Sequence, residues 1–405
     1  MRFSYDVPKI HMYTRIRKSP YFYASERHGV QSYTVCNRMY HPRHYDDPIA
    51  EYWKLVRDVT LWDVGVERQV EIAGPDAQAL ADLLTPRDLS ECAVGQNKFL
   101  LITDEDGGVI NNPVLLRLAE DCFWFSVADG DVLLWAKGVA SRAGLDVHIT
   151  EPDVAPVQIQ GPKSQALMRD LFGEAVLDLK YYWSAEFDLN GMDVVVGRTG
   201  YTGEIGYEIY LRNASRDGLT LWDTVLEAGR PHDLAVIGPC QIRRVEAGIL
   251  SYGSDIALDN NAYSDYAFLN PYEIGLGWTV DLDKDSDFIG KQALARIAEE
   301  GVRRKVVGVE LGGDPMIGYH DDYLPVLDGR QKTARQIGQV SSAFWSPRLE
   351  KNIGFALVPV EHSGLDTKLA VGTARGEISA VVVPRPFVDP KKETPKGTYQ
   401  EASAR

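Results

Sequence analysis

Apolar positions recur at helical spacing in several short stretches of the chain and alternate in others. Pro75–Leu84 opens on a proline, which suits a first helical turn, and closes before Pro86. Lys163–Phe172, Ser215–Ala228 and Lys291–Glu300 carry apolar stripes and stop at Gly173, Gly229 and Gly301. Glycine is favoured just past a helix end. Strand patterns fall at Glu67–Ile72, Phe123–Val127, Met192–Val196 and Lys305–Leu311. Beyond residue 301 the pattern is strands and turns, without a convincing long helix. Such a mixture predicts an α+β fold with an all-β C-terminal domain. The polar stretch Asp389–Thr398 is expected to be loose.

Length and charge narrow the function classes. A chain of 405 residues can hold two or three domains. Its net charge of −15 argues against nucleic acid and anionic membranes as partners, and permits a cationic small substrate. Four cysteines lie scattered without C-x-x-C spacing, as in reduced thiols rather than a disulfide framework or zinc site. The first residues hold no apolar signal region, and no run approaches 18 apolar residues. A soluble, cytoplasmic protein is expected, and Asn213-Ala-Ser215 reads as a helix start rather than a glycosylation site. The eight histidines form no metal signature. No G-x-S-x-G elbow is present.

The densest chemical signal is Gly197-Arg-Thr-Gly-Tyr-Thr-Gly-Glu-Ile-Gly-Tyr-Glu-Ile-Tyr-Leu211. It reads as strand, glycine-rich turn and strand, with Glu208 on the second strand. Its spacing is neither G-x-G-x-x-G nor G-x-x-x-x-G-K-[ST], so phosphate binding is not implied. Glycines allow positive φ and a close approach of backbone to a flat ligand. A carboxylate beside such a turn can accept two N–H donors of a heterocycle. A plain tight hairpin fits the same residues.

The segment resembles the R-T-G-Y-T-G-E-x-G-[FY]-E signature of the folate-binding aminomethyltransferase family, named for the glycine cleavage T-protein. Asp106-Gly-Gly-Val-Ile-Asn-Asn-Pro113, Val157-Gln-Ile-Gln-Gly-Pro162, Arg244-Val-Glu-Ala-Gly248 and Ser346-Pro-Arg-Leu-Glu-Lys-Asn-Ile353 match in the family's order. Gly29–Met39, Trp62–Ile72 and Asp131–Gly138 resemble the branch of tetrahydrofolate-dependent demethylases that includes the dimethylsulfoniopropionate enzymes. The resemblance implies three domains in a cloverleaf around a central folate channel. Residues 1–50 with 141–285 would form the folate-binding α+β part and 51–140 a ferredoxin-like domain. Residues 286–390 would form a β-barrel-like domain, and 391–405 a loose tail.

The resemblance also assigns roles. Glu208 would clamp the pterin of tetrahydrofolate. Phe99, Asn112, Val114 and Gln160 would lie beside it, and Arg244 and Arg348 are candidates for the glutamate tail. Where the T-protein holds an aspartate credited with proton transfer, this chain has Asn112, an amide that orients a ligand but trades no proton. Tyr33, Trp183, Tyr201 and Trp345 are aromatic candidates for a donor site, since ring faces attract onium cations. Asn260–Leu269 stands out as an aromatic insertion that could reshape that site.

The expected function is transfer of a methyl group from a small donor, with a sulfonium propionate the specific expectation, to N5 of tetrahydrofolate. The alternatives are a glycine-cleavage aminomethyltransferase and a demethylase of an N-methyl, O-methyl or halomethane donor. A folate-binding iron–sulfur assembly factor is disfavoured, because Phe288-Ile-Gly-Lys-Gln292 lacks the cysteine of that branch. Neither metal, nucleic acid nor membrane is expected, and a homo-oligomer is left open.

Overall fold

The structure is a computed structural model and describes residues 14–256, 269–318, 322–328 and 335–397. Three sheets organise it. A six-stranded sheet runs in the order Ser184–Leu189, Met192–Gly197, Gly206–Arg212, Val154–Gln160, Thr60–Asp63 and Ala235–Val236. All its neighbours are antiparallel except the last pair. A five-stranded antiparallel sheet follows the order His148–Thr150, Arg68–Ala73, Cys122–Val127, Val114–Ala119 and Asn97–Phe99. Arg304–Leu311, Lys351–Pro359, Gln336–Ser346, Leu324–Leu327, Lys368–Thr373 and Gly376–Val383 close into a barrel.

The helices expected from the apolar stripes form at Ala77–Leu84, Ser164–Phe172, Ala214–Gly229 and Lys291–Glu300. The expected α+β architecture and C-terminal β domain are present. The domain borders differ from expectation. Thr60–Asp63 pairs with Val157–Gln160 and so joins the six-stranded sheet rather than a 51–140 unit. The five-stranded sheet draws its last strand from beyond residue 140. Residues 391–397 are not a loose tail. The Asp389 carboxylate accepts the N–H groups of Glu393 (2.9 Å) and Thr394 (2.8 Å), starting a helical turn at Glu393–Lys396. The Arg198 guanidinium then donates to the carbonyls of Pro395 and Gly397. Backbone acceptors tied to a buried arginine explain why a polar composition did not give a mobile end.

Period-two alternation aims the site. Tyr207, Ile209 and Leu211 point into a core with Val157, Val194, Trp222 and Leu221 under the covering helices. Glu208 and Tyr210 therefore point to the opposite face. There Tyr210 and Val195 pack against Leu116 and Trp124 of the five-stranded sheet. Both faces of the strand are covered, so Gly206–Leu211 is buried throughout.

Candidate functional site

Between the sheets lies a cavity of about 540 Å³, a size suited to a small organic ligand. Glu208 lines it and is 5% exposed. Its cross-strand partner is Gln158, whose Nε2 donates to Glu208 Oε1 at 2.7 Å. The Tyr210 hydroxyl donates to Oε2 at 2.8 Å, and the Thr199 hydroxyl from the glycine turn donates to the same oxygen. Burial raises the Glu208 pKa above the usual glutamate range, and these three hydrogen bonds pull it back down. A carboxylate offers about four lone-pair sites. Three are used, so the group is rigidly aimed yet retains capacity for a ligand N–H.

Other polar atoms in the wall have no protein partner. Gln158 Oε1, Asn97 Nδ2 and His41 Nδ1 are buried and make no hydrogen bond. All three side chains line the cavity. Burial, with Arg43 adding to it, pushes the His41 pKa down to about 3, so its ring is neutral. Burial chiefly, then Asp129, drives the Cys36 thiol up to about 12. It therefore stays protonated and does not compete as a nucleophile. Orphaned buried polar groups are rare in folded proteins, and these three lie around one space.

The glycine turn works differently from the sequence expectation. Of its four glycines only Gly203 has positive φ, at 67°. Gly200 and Gly206 instead make room for the Gln160 side chain. A Cβ on Gly200 would stand 2.2 Å from Gln160 Nε2, and one on Gly206 2.3 Å from it. The Gln160 amide accepts from Thr202 Oγ1 (2.7 Å) and donates to the Thr199 carbonyl (3.2 Å). Gln160 thus holds the turn that carries Thr199 and does not line the cavity. Gly200→Ala should cost about 1–3 kcal/mol through overpacking. Chemical denaturation checks this; a variant as stable as the parent would show that Gln160 does not fill the turn.

Phe99, Asn112, Val114, Tyr201 and Glu208 come together around the cavity. Phe99 stacks on Trp278 (centroids 6.3 Å, 30°), whose indole is exposed beside the opening. Arg244 is elsewhere: it pairs with Asp255 and donates to Gln241 Oε1 (2.7 Å) and Ser342 Oγ (2.8 Å). Arg348 lies outside the lining but beside it, 3.6 Å from Glu204. Tyr33 stacks on Phe22 (5.4 Å, 18°) and donates to Glu26 at 2.7 Å. Trp183 packs under Gly95 with Lys180 over its ring, and Trp345 pairs with Asn352 on the barrel. Neither lines the cavity, nor does Tyr33. Residues 260–268 of the insertion lie outside the described residues.

Sequence reasoning passed over Gln158, Asn97 and Glu67. Gln158 was legible in retrospect, since it sits two residues before Gln160 on the same strand face. Asn97 comes from the five-stranded sheet and Glu67 from the bend just before its strand Arg68–Ala73, so only the packing of the two sheets brings them to the cavity of Glu208. Among the described residues no cluster of His, Cys, Asp or Glu is placed to hold a metal ion. No helix among them is long and apolar enough to cross a membrane.

The sequence matches the GCVT N-terminal domain model over residues 21–284 and the glycine cleavage T-protein C-terminal barrel domain model over 304–389. The chain belongs to the glycine cleavage T-protein family. Among curated relatives it is 39% identical to the dimethylsulfoniopropionate demethylase of Ruegeria pomeroyi, over 89% of this chain and 94% of that one. It is 34% identical to an aminomethyltransferase of Symbiobacterium thermophilum, over 85% and 90% of the two chains. The aminomethyltransferase T crystal structure from Bartonella henselae has the same fold, with a TM-score of 0.80 and 22% identity. That match covers 93% of this chain and 99% of that one.

Proposed function

We propose that this protein takes a methyl group from a small onium donor, a sulfonium propionate such as dimethylsulfoniopropionate, and places it on N5 of tetrahydrofolate. The chain is a one-carbon transferase using tetrahydrofolate, as its family membership implies. The observation that carries the folate part of this reading is the Glu208 cluster: an aimed, buried carboxylate with the unpartnered Gln158 Oε1 and Asn97 Nδ2 in the same wall. Those atoms offer acceptors and a donor side by side, which fits the mixed hydrogen-bonding edge of a pterin. Bound tetrahydrofolate supplies the nucleophilic nitrogen. The protein's share is positioning in a dry space, which can supply most of the rate for such a transfer.

Asn112 supports a donor with a good leaving group. It lines the cavity, while its neighbour Asn111 is held by the Asp129 carbonyl at 2.6 Å and serves the fold. An amide at this place offers no proton for amine expulsion, and a sulfonium needs none, because it leaves as a neutral thioether. Asn112→Asp should change demethylation by less than about threefold, since Brønsted catalysis by a positioned group is worth roughly 10²-fold or more where it operates. A large gain in aminomethyl transfer from a lipoyl carrier would instead return the protein to glycine cleavage.

The deciding assay incubates the protein with tetrahydrofolate and single donors and reads the folate product by mass spectrometry. The donors are dimethylsulfoniopropionate, glycine betaine, dimethylglycine, a methoxy-aromatic acid and chloromethane. Methyl-tetrahydrofolate from the sulfonium alone is the expected result. Product from a neutral donor only would replace this reading.

A further inference from the structure

We infer that the Glu67 carboxylate faces the positive centre of the donor and gives the cavity its preference for onium over neutral methyl donors. This rests on the methyl-transfer reading above and adds the residue that discriminates. Five acidic side chains line the cavity: Glu67, Asp129, Glu204, Glu208 and Asp389. Four have donors. Asp129 accepts from the N–H groups of Asn37 (2.7 Å) and Gly130 (2.9 Å). Glu204 is held by Arg243 Nε at 2.7 Å. Asp389 caps its helical turn and Glu208 takes its three hydrogen bonds, as described above. The Glu67 carboxylate has no hydrogen-bond or ion-pair partner among the described residues. What acts on it is burial, followed by repulsion from Glu208.

The nearest guanidinium in sequence does not serve it. Arg68 is turned to Glu151 at 2.9 Å. Glu67 is half-buried, its pKa is raised by desolvation and then by Glu208, and a carboxylate without donors there is costly to charge until a counter-charge arrives. A sulfonium or quaternary ammonium fits that vacancy, because it presents only C–H surface and asks for charge without hydrogen bonds. A ligand offering N–H groups would be better served at Glu208. Two further observations point to a ligand here: the buried, unpartnered Gln158 Oε1 and His41 Nδ1 in the same wall. Charge of the other sign is also present. Arg43 lines the cavity, and Arg43 and Glu67 bias the Cys36 thiol in opposite directions. A wall carrying both signs suits a donor that is itself a zwitterion, cation at one end and carboxylate at the other.

The test compares dimethylsulfoniopropionate with 4-methylpentanoate, its uncharged-centre isostere, in the parent and in Glu67→Gln. Calorimetry without tetrahydrofolate, where no transfer occurs, gives both affinities, and initial rates with tetrahydrofolate give KM and kcat for the sulfonium. The parent should bind the sulfonium more tightly than the isostere by about tenfold or more, as for a desolvated charge pair. Glu67→Gln should raise KM for the sulfonium by a similar factor, leaving isostere and tetrahydrofolate affinities within about twofold. Glu67→Asp should recover part of the loss. Equal affinities in the parent, or equal losses for both ligands in the variant, would overturn the inference. The parent arm decides the matter even if Glu67→Gln misfolds. A parent that demethylates the sulfonium without discriminating against the isostere removes Glu67 from its role but leaves the function standing. A parent that uses only neutral donors removes both.

Discussion

Glu208→Ala should weaken tetrahydrofolate binding more than tenfold while the fold survives. A hydrogen bond to a charged acceptor contributes about 1.5–3 kcal/mol, and each 1.4 kcal/mol is about tenfold in affinity. The fold is spared because the carboxylate is a burden to the ligand-free protein. Burial raises its pKa, so the charged form is disfavoured there. Removing it leaves Thr199, Tyr210 and the Gln158 amide without an acceptor. The relieved charge burial offsets part of that loss. The same shift gives a pH profile. A protonated Glu208 accepts N–H donors poorly, so affinity should fall on acidification, beginning above the usual glutamate range. Fluorescence titration of parent and variant across pH checks both effects, the pH dependence being expected in the parent and lost in the variant. Unchanged titration by a folded Glu208→Ala would remove the clamp.

Glu208 was legible because strand geometry is local. Once Gly206–Arg212 is a strand, Tyr207, Ile209 and Leu211 claim one face and Glu208 must take the other. The four helices and the β character of the C-terminal domain were legible for the same reason, through caps and period, whereas its barrel form was implied by the family resemblance. Residues that depend on distant packing were not. Glu67 stood inside a stretch that matched the family, yet nothing local separates it from a solvated glutamate; its place in the cavity wall beside Glu208 makes the difference. Tyr33, Trp183 and Trp345 failed for the converse reason. An aromatic ring packs on protein as readily as on a ligand, and the spacing of aromatics does not tell the two apart. The glycines at 200 and 206 were read as approach room for a ligand. The space they leave is instead filled by Gln160, a neighbour supplied by strand pairing at Gln160↔Gly206.

Breaking the Arg244–Asp255 pair should cost about 3–5 kcal/mol, as expected when one member of a buried ion pair is removed. Arg244 lies in the helix Gln241–Glu246, whose Gln241 and Arg243 line the cavity. Its guanidinium reaches Asp255, the Ile249 carbonyl (3.0 Å) and Ser342 Oγ on the barrel. Asp255 in turn accepts from the hydroxyls of Ser341 and Ser342, both at 2.6 Å, and from the Ser251 N–H. The two single variants are therefore unequal. Arg244→Ala leaves Asp255 with three donors, whereas Asp255→Ala leaves a buried guanidinium with neutral acceptors. Asp255→Ala should be at least as destabilising. In a double-mutant cycle the two losses should add to more than the loss in the double variant. Denaturant midpoints measure all three. The pair also fastens the cavity-lining helix to the barrel, although no residue of the barrel strands reaches the cavity. Each single variant should then lower turnover beyond its effect on tetrahydrofolate affinity. Additive losses within 0.5 kcal/mol would mean the two residues act separately, and the barrel would lose its mechanical link to the site.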